Sequence, residues 1–301
     1  MLDIIIVNWN SGELLSKCIV SIFNSDLNDI SLNIIIVDNA STDDSLLRIP
    51  KDKKIKIVYN EKNRGFGAAC NQGVKAGNGK YILFLNPDAE VRKDTIANSL
   101  DFLQKNLKVT VLGCRQVDEF GNTLRTCANF ISRSNYFNKL VGLSKVLPQI
   151  FPDYHMTGWD HNSSREVDHV MGSYYLITRE KLVKLNSFDE QFFVYFEDLD
   201  LSYRVKKQGG IVYFNADIEI YHETGGTSKK VKAERLFYTL DSLLCYGKKH
   251  FSKFDYFILK CIVFGVEPFF RCFLHIINFN FRDIKMTFSG YKMLYLKRVF
   301  N

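Results

Sequence analysis

The chain has 301 residues, 46% of them apolar, and a net charge of +7, enough to bury an α/β core in one large domain or one domain with an appendage. Its seven cysteines are odd in number, scattered and without a CxxC pair, which argues against a disulfide framework or a zinc site and fits a reducing cytosol. Met1-Leu2-Asp3 carries an acid where a secretory signal has its basic stretch. No nucleic-acid recognition motif accompanies the positive charge, which an anionic membrane surface or a phosphorylated substrate explains equally well.

In chain order, residues 4–7 read as a strand, Glu13–Phe23 as a helix, 33–37 as a strand and 43–48 as a short helix. Residues 56–59 follow as a strand and 67–76 as a helix. Tyr81–Leu85 is apolar throughout and reads as a strand buried on both faces. A helix at 94–105, a strand at 109–114 and a hairpin turn at 118–122 come next. Strands alternating with helices at this spacing imply βαβ units and a doubly wound, mostly parallel sheet. Residues 126–165 have weak periodicity and two prolines, Pro148 and Pro152, the pattern of a long, partly helical excursion of the kind that is usually functional or mobile. Order returns at 167–178, with 170–175 read as one strand carrying Gly172. A helix at 179–185, an acidic helix start near Glu197 and a strand at 211–214 complete this part.

The tail differs. Residues 254–281 are dense in Phe, Ile, Leu and Cys but interrupted by Lys260, Glu267, Pro268 and Arg271. No eighteen-residue uncharged apolar run exists there, so a spanning helix is not expected. Two readings stand side by side: core helices, and an amphipathic segment on a bilayer, flanked by Lys248, Lys249 and Lys253.

Ligands of open α/β sheets sit at the carboxyl ends of strands, and four segments bring polar groups there. Asn8 and Asn10 follow the first strand, where Ser11 alone would serve as a helix N-cap. Asp38 and Asn39 follow the second, and a carboxylate so placed can accept from a ribose hydroxyl or a base N–H. Arg64 can pair with phosphate, and Gly65 and Gly67 permit close backbone approach. The third-glycine position of a dinucleotide fingerprint is Cys70, which weakens that reading. Asn86 and Asp88 follow Tyr81–Leu85, although a lone carboxylate after a strand is usually a turn residue.

Later, Glu197, Asp198 and Asp200 would complement a helix macrodipole. Phe192, Phe193, Tyr195 and Phe196 precede them as walls that could exclude water. His222 adjoins a Gly-Gly loop at 224–228, and imidazole is a common ligand of divalent ions.

With these blocks in order (VNWNSG at 7–12, VDNASTDDS at 37–45, NRGFGAACNQG at 63–73, LNPDAEV at 85–91 and the late acidic block), the chain resembles a family 2 glycosyltransferase of the GT-A fold, in its rhamnosyltransferase-like branch. The resemblance covers about residues 1–250. It implies an α/β, Rossmann-like central sheet flanked by helices, with a nucleotide-sugar-binding half at 1–115 and an acceptor-binding, catalytic half at 116–250. Residues 251–301 would be a helical tail.

In such a protein Asn8, Asn10, Asp38, Asn39, Arg64, Gly65, Asn86 and Asp88 hold the nucleotide sugar. Gly172, Ser173 and Tyr195 line the sugar and acceptor pocket. Asp198 is the base of an ED motif, with Glu197 beside it and Asp200 packing or capping. Asp88, in an NPD segment that replaces DxD, and His222 would hold Mg²⁺ or Mn²⁺, with one carboxylate where DxD has two. Lys229, Lys230 and Lys232 would steer diphosphate or form a solvated face.

The implied reaction is inverting transfer, with dTDP-L-rhamnose as the implied donor and a lipid-linked surface polysaccharide as acceptor. Other UDP- or dTDP-sugars stay open as donors. The implied location is cytoplasmic, peripheral at the membrane face, with no nucleic-acid partner; the oligomeric state is left open, a homodimer included. A processive synthase is disfavoured because neither Trp9 nor Trp159 lies in a QxxRW motif. A nicotinamide oxidoreductase lacks its glycine pattern and Tyr-x-x-x-Lys chemistry. A non-catalytic nucleotide-binding or membrane scaffold would explain the sheet and tail but not Asp88, Asp198 and His222 together.

Overall fold

The computed structural model describes residues 1–27, 30–223 and 232–300. The first strand, β1 (Leu2–Asn8), is buried along its whole length, and its alternating side chains serve two cores. Leu2, Ile4 and Ile6 pack with Leu15, Ile19 and Ile22 of α1 (Glu13–Phe23), whereas Ile5 and Val7 pack with Ala69, Cys70 and Val74 of α2 (Phe66–Ala76). A strand covered on both faces needs no polar alternation.

Strands β2 (Leu32–Asp38), β3 (Ile55–Tyr59) and β4 (Tyr81–Leu85) join β1 in the order β3-β2-β1-β4, all parallel. The short helix expected at 43–48 is a single 3₁₀ turn, Ser45–Leu47. A three-residue strand the sequence did not announce, β5 (Ala89–Val91), precedes α3 (Thr95–Lys105) and β6 (Val109–Val117).

Next come β7 (Cys127–Ala128), the helices α4 (Arg133–Leu140) and α5 (Leu143–Val146), and β8 (Arg165–Val167). The strand expected at 170–175 is broken. Its first part, β9 (His169–Val170), pairs with β7 in a small separate sheet, and its second, β10 (Tyr174–Thr178), inserts antiparallel between β4 and β6. Gly172 lies in the turn between them.

After α6 (Arg179–Lys184) and α7 (Glu197–Lys207), the strand expected at 211–214 runs on to twelve residues, β11 (Ile211–His222). It pairs parallel with β6 and antiparallel with β5 and β8. The nine-stranded sheet has the order β3-β2-β1-β4-β10-β6-β11-β5, with β8 on β11.

The tail is helical: α8 (Lys232–His250), α9 (Lys253–Cys261), a π-helical segment Ile262–Val266, α10 (Glu267–Ile277) and α11 (Phe281–Phe300). One face of it is core. Leu259, Ile262, Val263 and Leu294 pack with Leu240, Leu243 and Leu244 of α8 and with Phe192 and Leu199 around the start of α7. The other face exposes Phe269, Phe273, Ile276, Ile277, Phe279 and Phe281. Among the described residues no helix is long and apolar enough to cross a membrane.

Candidate active site

The carboxyl ends of β1, β2 and β4 and the N-terminus of α2 meet at one edge of the sheet. Asn8 donates from Nδ2 to Asp38 Oδ1 (2.8 Å), Ser41 Oγ (3.0 Å) and Ser45 Oγ (2.9 Å). Asn39 donates to the Gly65 carbonyl at 3.1 Å and accepts from Asn60 and from the Arg64 N–H. Both side chains are buried and tie three loops together; Asn39 is engaged through both its amide groups, while Asn8 Oδ1 has no hydrogen-bond partner among the described residues. Asn10 accepts from the Thr42 N–H at 2.7 Å. Asp38 keeps lone pairs beyond those that Asn8 and the Ser41 N–H occupy, and the Arg64 side chain is exposed.

Gly65 makes a close approach within the chain. Its φ is +87°, and a Cβ there would stand 2.2 Å from the Phe193 carbonyl oxygen. The close approach it permits is to residue 193 of its own chain, sealed by the Phe66 N–H donating to that carbonyl at 2.8 Å; no phosphate is needed to explain the glycine. Gly67 likewise lies against Phe188 and Glu197, so the N-termini of α2 and α7 are in contact.

Strand β5 builds the second part of the site. Its antiparallel pairing sets Ala89 opposite His222 and Val91 opposite Ile220, which brings His222 Nε2 within 3.2 Å of Asp88 Oδ1. The Glu223 N–H donates to the Asp88 carbonyl at 2.9 Å. Both side chains are largely shielded, while His222 Nδ1 has no hydrogen-bond partner among the described residues.

A carboxylate oxygen and an imidazole nitrogen converging on one point fit a divalent ion that takes its remaining ligands from phosphate and water, the oxygens being of the kind Mg²⁺ and Mn²⁺ prefer and the imidazole suiting a transition metal better than Mg²⁺. No group of three His, Cys, Asp or Glu side chains gathers for a metal among the described residues, so a cage made wholly of protein is not available. Residues 224–230, which include the Gly-Gly loop, Lys229 and Lys230, lie outside the described residues. Lys232 pairs with Asp283 of α11 at 2.9 Å and is thereby engaged away from any diphosphate.

The third part is the start of α7. Tyr195 and Phe196 both have positive φ, 68° and 70°, two consecutive residues in a region that costs non-glycine residues free energy and clusters at functional sites. This double bend turns Asp198 toward the Gly172 turn. The Gly172 N–H donates to Asp198 Oδ2 at 2.7 Å and the Leu199 N–H to Oδ1 at 2.8 Å. A Cβ on Gly172 would stand 3.1 Å from Oδ2, so the glycine admits the carboxylate.

The Asp198 side chain is 15% exposed, held yet open. Glu197 is buried, its Oε2 without a partner among the described residues. Burial, reinforced by the charge of Asp198, holds its carboxyl well above the usual range. Asp200 faces the opposite way, into Arg204, Lys249 and His250.

Ser173 is buried against Gln116, with side-chain bonds of 2.8 and 2.9 Å; its carbonyl accepts from the Asn86 N–H, tying the Gly172 turn to the segment that carries Asp88. Of the expected aromatic walls, Phe192 is core and Phe196 packs against the same core. Phe193 stacks on Tyr238 with centroids 4.7 Å apart, and Tyr195 is half-buried. His169 went unnoticed in the sequence: its Nε2 lies 3.7 Å from Asp198 Oδ2. No motif marks it, because a histidine in an apolar stretch reads as an ordinary core residue.

A parallel β3-β2-β1-β4 half, an inserted antiparallel strand and a carboxylate after β4 define a glycosyltransferase of the GT-A fold. A mannosyltransferase from Pyrobaculum calidifontis, solved with GDP-Man and Mn²⁺, has this fold. It superposes with a TM-score of 0.56 at 13% identity over 98% of this chain and 86% of its own. The family model for Glycosyl transferase family 2 matches residues 3–167, more than half of the chain, and the chain belongs to that family. An N-acetylglucosaminyl-diphospho-decaprenol L-rhamnosyltransferase of Mycobacterium tuberculosis is 23% identical over 253 residues, 78% of this chain and 80% of that protein. A low-salt glycan biosynthesis hexosyltransferase of Haloferax volcanii is 26% identical over 214 residues, 69% of this chain. The match spans 62% of the Haloferax protein, less than two thirds of its length.

Proposed function

We propose that the protein transfers a sugar, with inversion, from a nucleotide donor to a hydroxyl of a lipid-linked saccharide. The observation that carries this reading is Asp198, a carboxylate held by two backbone N–H groups at a partly open site linked through Ser173 and Asn86 to the Asp88–His222 pair. A sugar hydroxyl is a poor nucleophile and needs a base. Asp198 takes its proton as the oxygen bonds to the anomeric carbon, and the bond to the diphosphate breaks with its electron pair on the leaving phosphate. Asp88 and His222 would hold Mg²⁺ or Mn²⁺, which when bound supplies counter-charge to that leaving group. Asp38 and Arg64 would meet the nucleoside and the phosphates, with Asn8 and Asn39 setting their loops.

The name of the Mycobacterium relative supports L-rhamnose as the sugar and a polyprenyl-diphosphate sugar as the acceptor to try first, with the dTDP form of the donor that the sequence resemblance implies. The exposed apolar face of α10 and the turn after it suits such an acceptor, because an amphipathic surface gains by burying its apolar side chains in a bilayer. The test is release of nucleoside diphosphate from a panel of activated sugars, with the parent and with Asp198→Asn. The variant should lose about two to four orders of magnitude in turnover while binding donor as before. Near-parental transfer by the variant would refute the assignment of the base.

A further inference from the structure

Behind Asp198 a row of hydrogen-bonding groups runs back into the core. The Tyr175 hydroxyl lies 3.3 Å from Ser202 Oγ, Ser202 Oγ lies 3.0 Å from His169 Nδ1, and His169 Nε2 faces Asp198 Oδ2 at 3.7 Å. Three elements supply the row: β10 gives Tyr175, β9 gives His169, and α7 gives both Asp198 and Ser202. The last two are four residues apart and therefore stacked on one helix face, and the His169 ring spans the gap between them. Tyr175, Ser202 and His169 are all buried.

We propose that His169 is a positioning residue for the base: the row fixes its ring with the proton on Nε2, directed at Asp198 Oδ2, and leaves Oδ1 as the oxygen that receives the acceptor's proton. The inference rests on the assignment of Asp198 above. Its logic is one of donors. In the proposed arrangement the Ser202 hydroxyl donates to Nδ1 and the remaining ring proton is on Nε2, the tautomer being set by the partner of the other nitrogen; the 3.3 and 3.0 Å contacts themselves fit either direction. Oδ2 accepts from the Gly172 N–H and has the His169 ring at 3.7 Å, an electrostatic contact longer than a hydrogen bond, while Oδ1 accepts from the Leu199 N–H. An N–H dipole on that side stabilises negative charge at Oδ2 and leaves Oδ1 the better proton acceptor.

The titratable groups around the row are Asp168 beside the ring, Glu197 and Cys70 beside Asp198, and Asp200 and Arg204 near Tyr175. Burial raises the Glu197 carboxyl well above its usual range and keeps the Cys70 thiol protonated at neutral pH. Burial also holds His169 below the usual imidazole range, against the opposing pull of Asp198 and Asp168, so the ring is neutral where the enzyme would work.

Two measurements test this. The first is ¹⁵N–¹H correlation of the histidine-labelled full chain, assigned by comparison with His169→Gln. It should show a neutral Nε2–H ring at residue 169 from pH 6 to 8, and an Nδ1–H tautomer there would overturn the proposal without any activity assay. The second is kinetic, with dTDP-L-rhamnose and a synthetic N-acetylglucosaminyl-diphospholipid as probes. His169→Phe fills the ring's volume without a donor. It should lower kcat about tenfold at unchanged donor KM. His169→Gln, which can place an N–H near the same point, should restore most of the rate. If Asp198→Asn is inactive while His169→Phe matches the parent in kcat, the positioning role fails and the base stands. If Asp198→Asn is active, the base assignment fails instead.

Discussion

Asp200 stands two residues from the proposed base on the same helix, yet its surroundings assign it to folding. Its side chain is 0% exposed and meets Arg204 Nε at 2.8 Å, Lys249 Nζ at 2.7 Å and His250 Nε2 at 2.7 Å. Arg204 also donates to the Ser187 carbonyl, and Lys249 to Asp189, so one carboxylate joins α7 to α8 and to the segment before α7. Burial alone would raise its pKa. The hydrogen bond from His250, with Arg204 and Lys249, outweighs burial and lowers it from 3.8 to about 2.

At 1.36 kcal/mol per pH unit, that difference corresponds to about 2.5 kcal/mol of stability. Because the folded pKa is the depressed one, the contribution is complete above pH 3.8 and is lost as pH falls through about 2. Asp200→Asn removes the charge that Arg204, Lys249 and His250 share; Arg204 keeps the Ser187 carbonyl and Lys249 keeps Asp189, which bounds the whole loss at about 4 kcal/mol. Urea unfolding of parent and variant, followed by circular dichroism at pH 7 and again near pH 2.5, reads both effects. The expected result is a gap of about 2.5–4 kcal/mol at pH 7 that narrows in acid. A gap below about 1 kcal/mol at pH 7, or one of equal size at both pH values, would refute this reasoning.

Three further outcomes follow from the same geometry. Asp88→Ala should abolish stimulation by Mn²⁺ and His222→Ala should reduce it, read as nucleoside-diphosphate release against metal concentration; a parent enzyme indifferent to chelator would remove the metal from the reading. Gly65→Ala places a Cβ 2.2 Å from the Phe193 carbonyl at a φ of +87°, a strain of about 1–3 kcal/mol before the Phe66–Phe193 hydrogen bond is counted. Its melting temperature should fall by roughly 4–10 °C, and an unchanged value would show that the 193 segment yields freely. Replacing Phe273, Ile277 and Phe279 with serine removes apolar bulk worth about 1.5–3 kcal/mol per side chain on burial and touches none of the residues packed on α8. That variant should stay folded but no longer sediment with anionic vesicles, whereas equal sedimentation of variant and parent would place membrane contact elsewhere.

Legibility in the sequence follows the range of the interaction. The β1-α1-β2 and β3-α2-β4 runs are readable because each apolar period is local, and a strand covered on both faces announces itself as a continuous apolar run. The polar turns after β1, β2 and β4 are readable for the same reason, but not what their side chains touch. Asn8 and Asn39 look like ligand contacts in the sequence, and their part as loop fasteners shows only in the fold, because their partners at Asp38, Ser45 and Gly65 lie 26 to 37 positions away.

The two pairings on which the chemistry depends are longer still. Three residues, Ala89–Val91, carry no strand signal of their own and become a strand only because β11 lies alongside them; that pairing is what sets His222 beside Asp88, 134 positions away. The apolar stretch from Val170 to Tyr175 reads as one strand, and the fold breaks it because the Gly172 N–H has a better use as a donor to Asp198. His169 becomes visible only once that break is known, since it then leaves the main sheet for the two-stranded one and turns its ring toward α7. A local reading therefore locates the carboxylates of this site, while their partners, which decide what each carboxylate can do, exist only where distant strands and turns are brought into register.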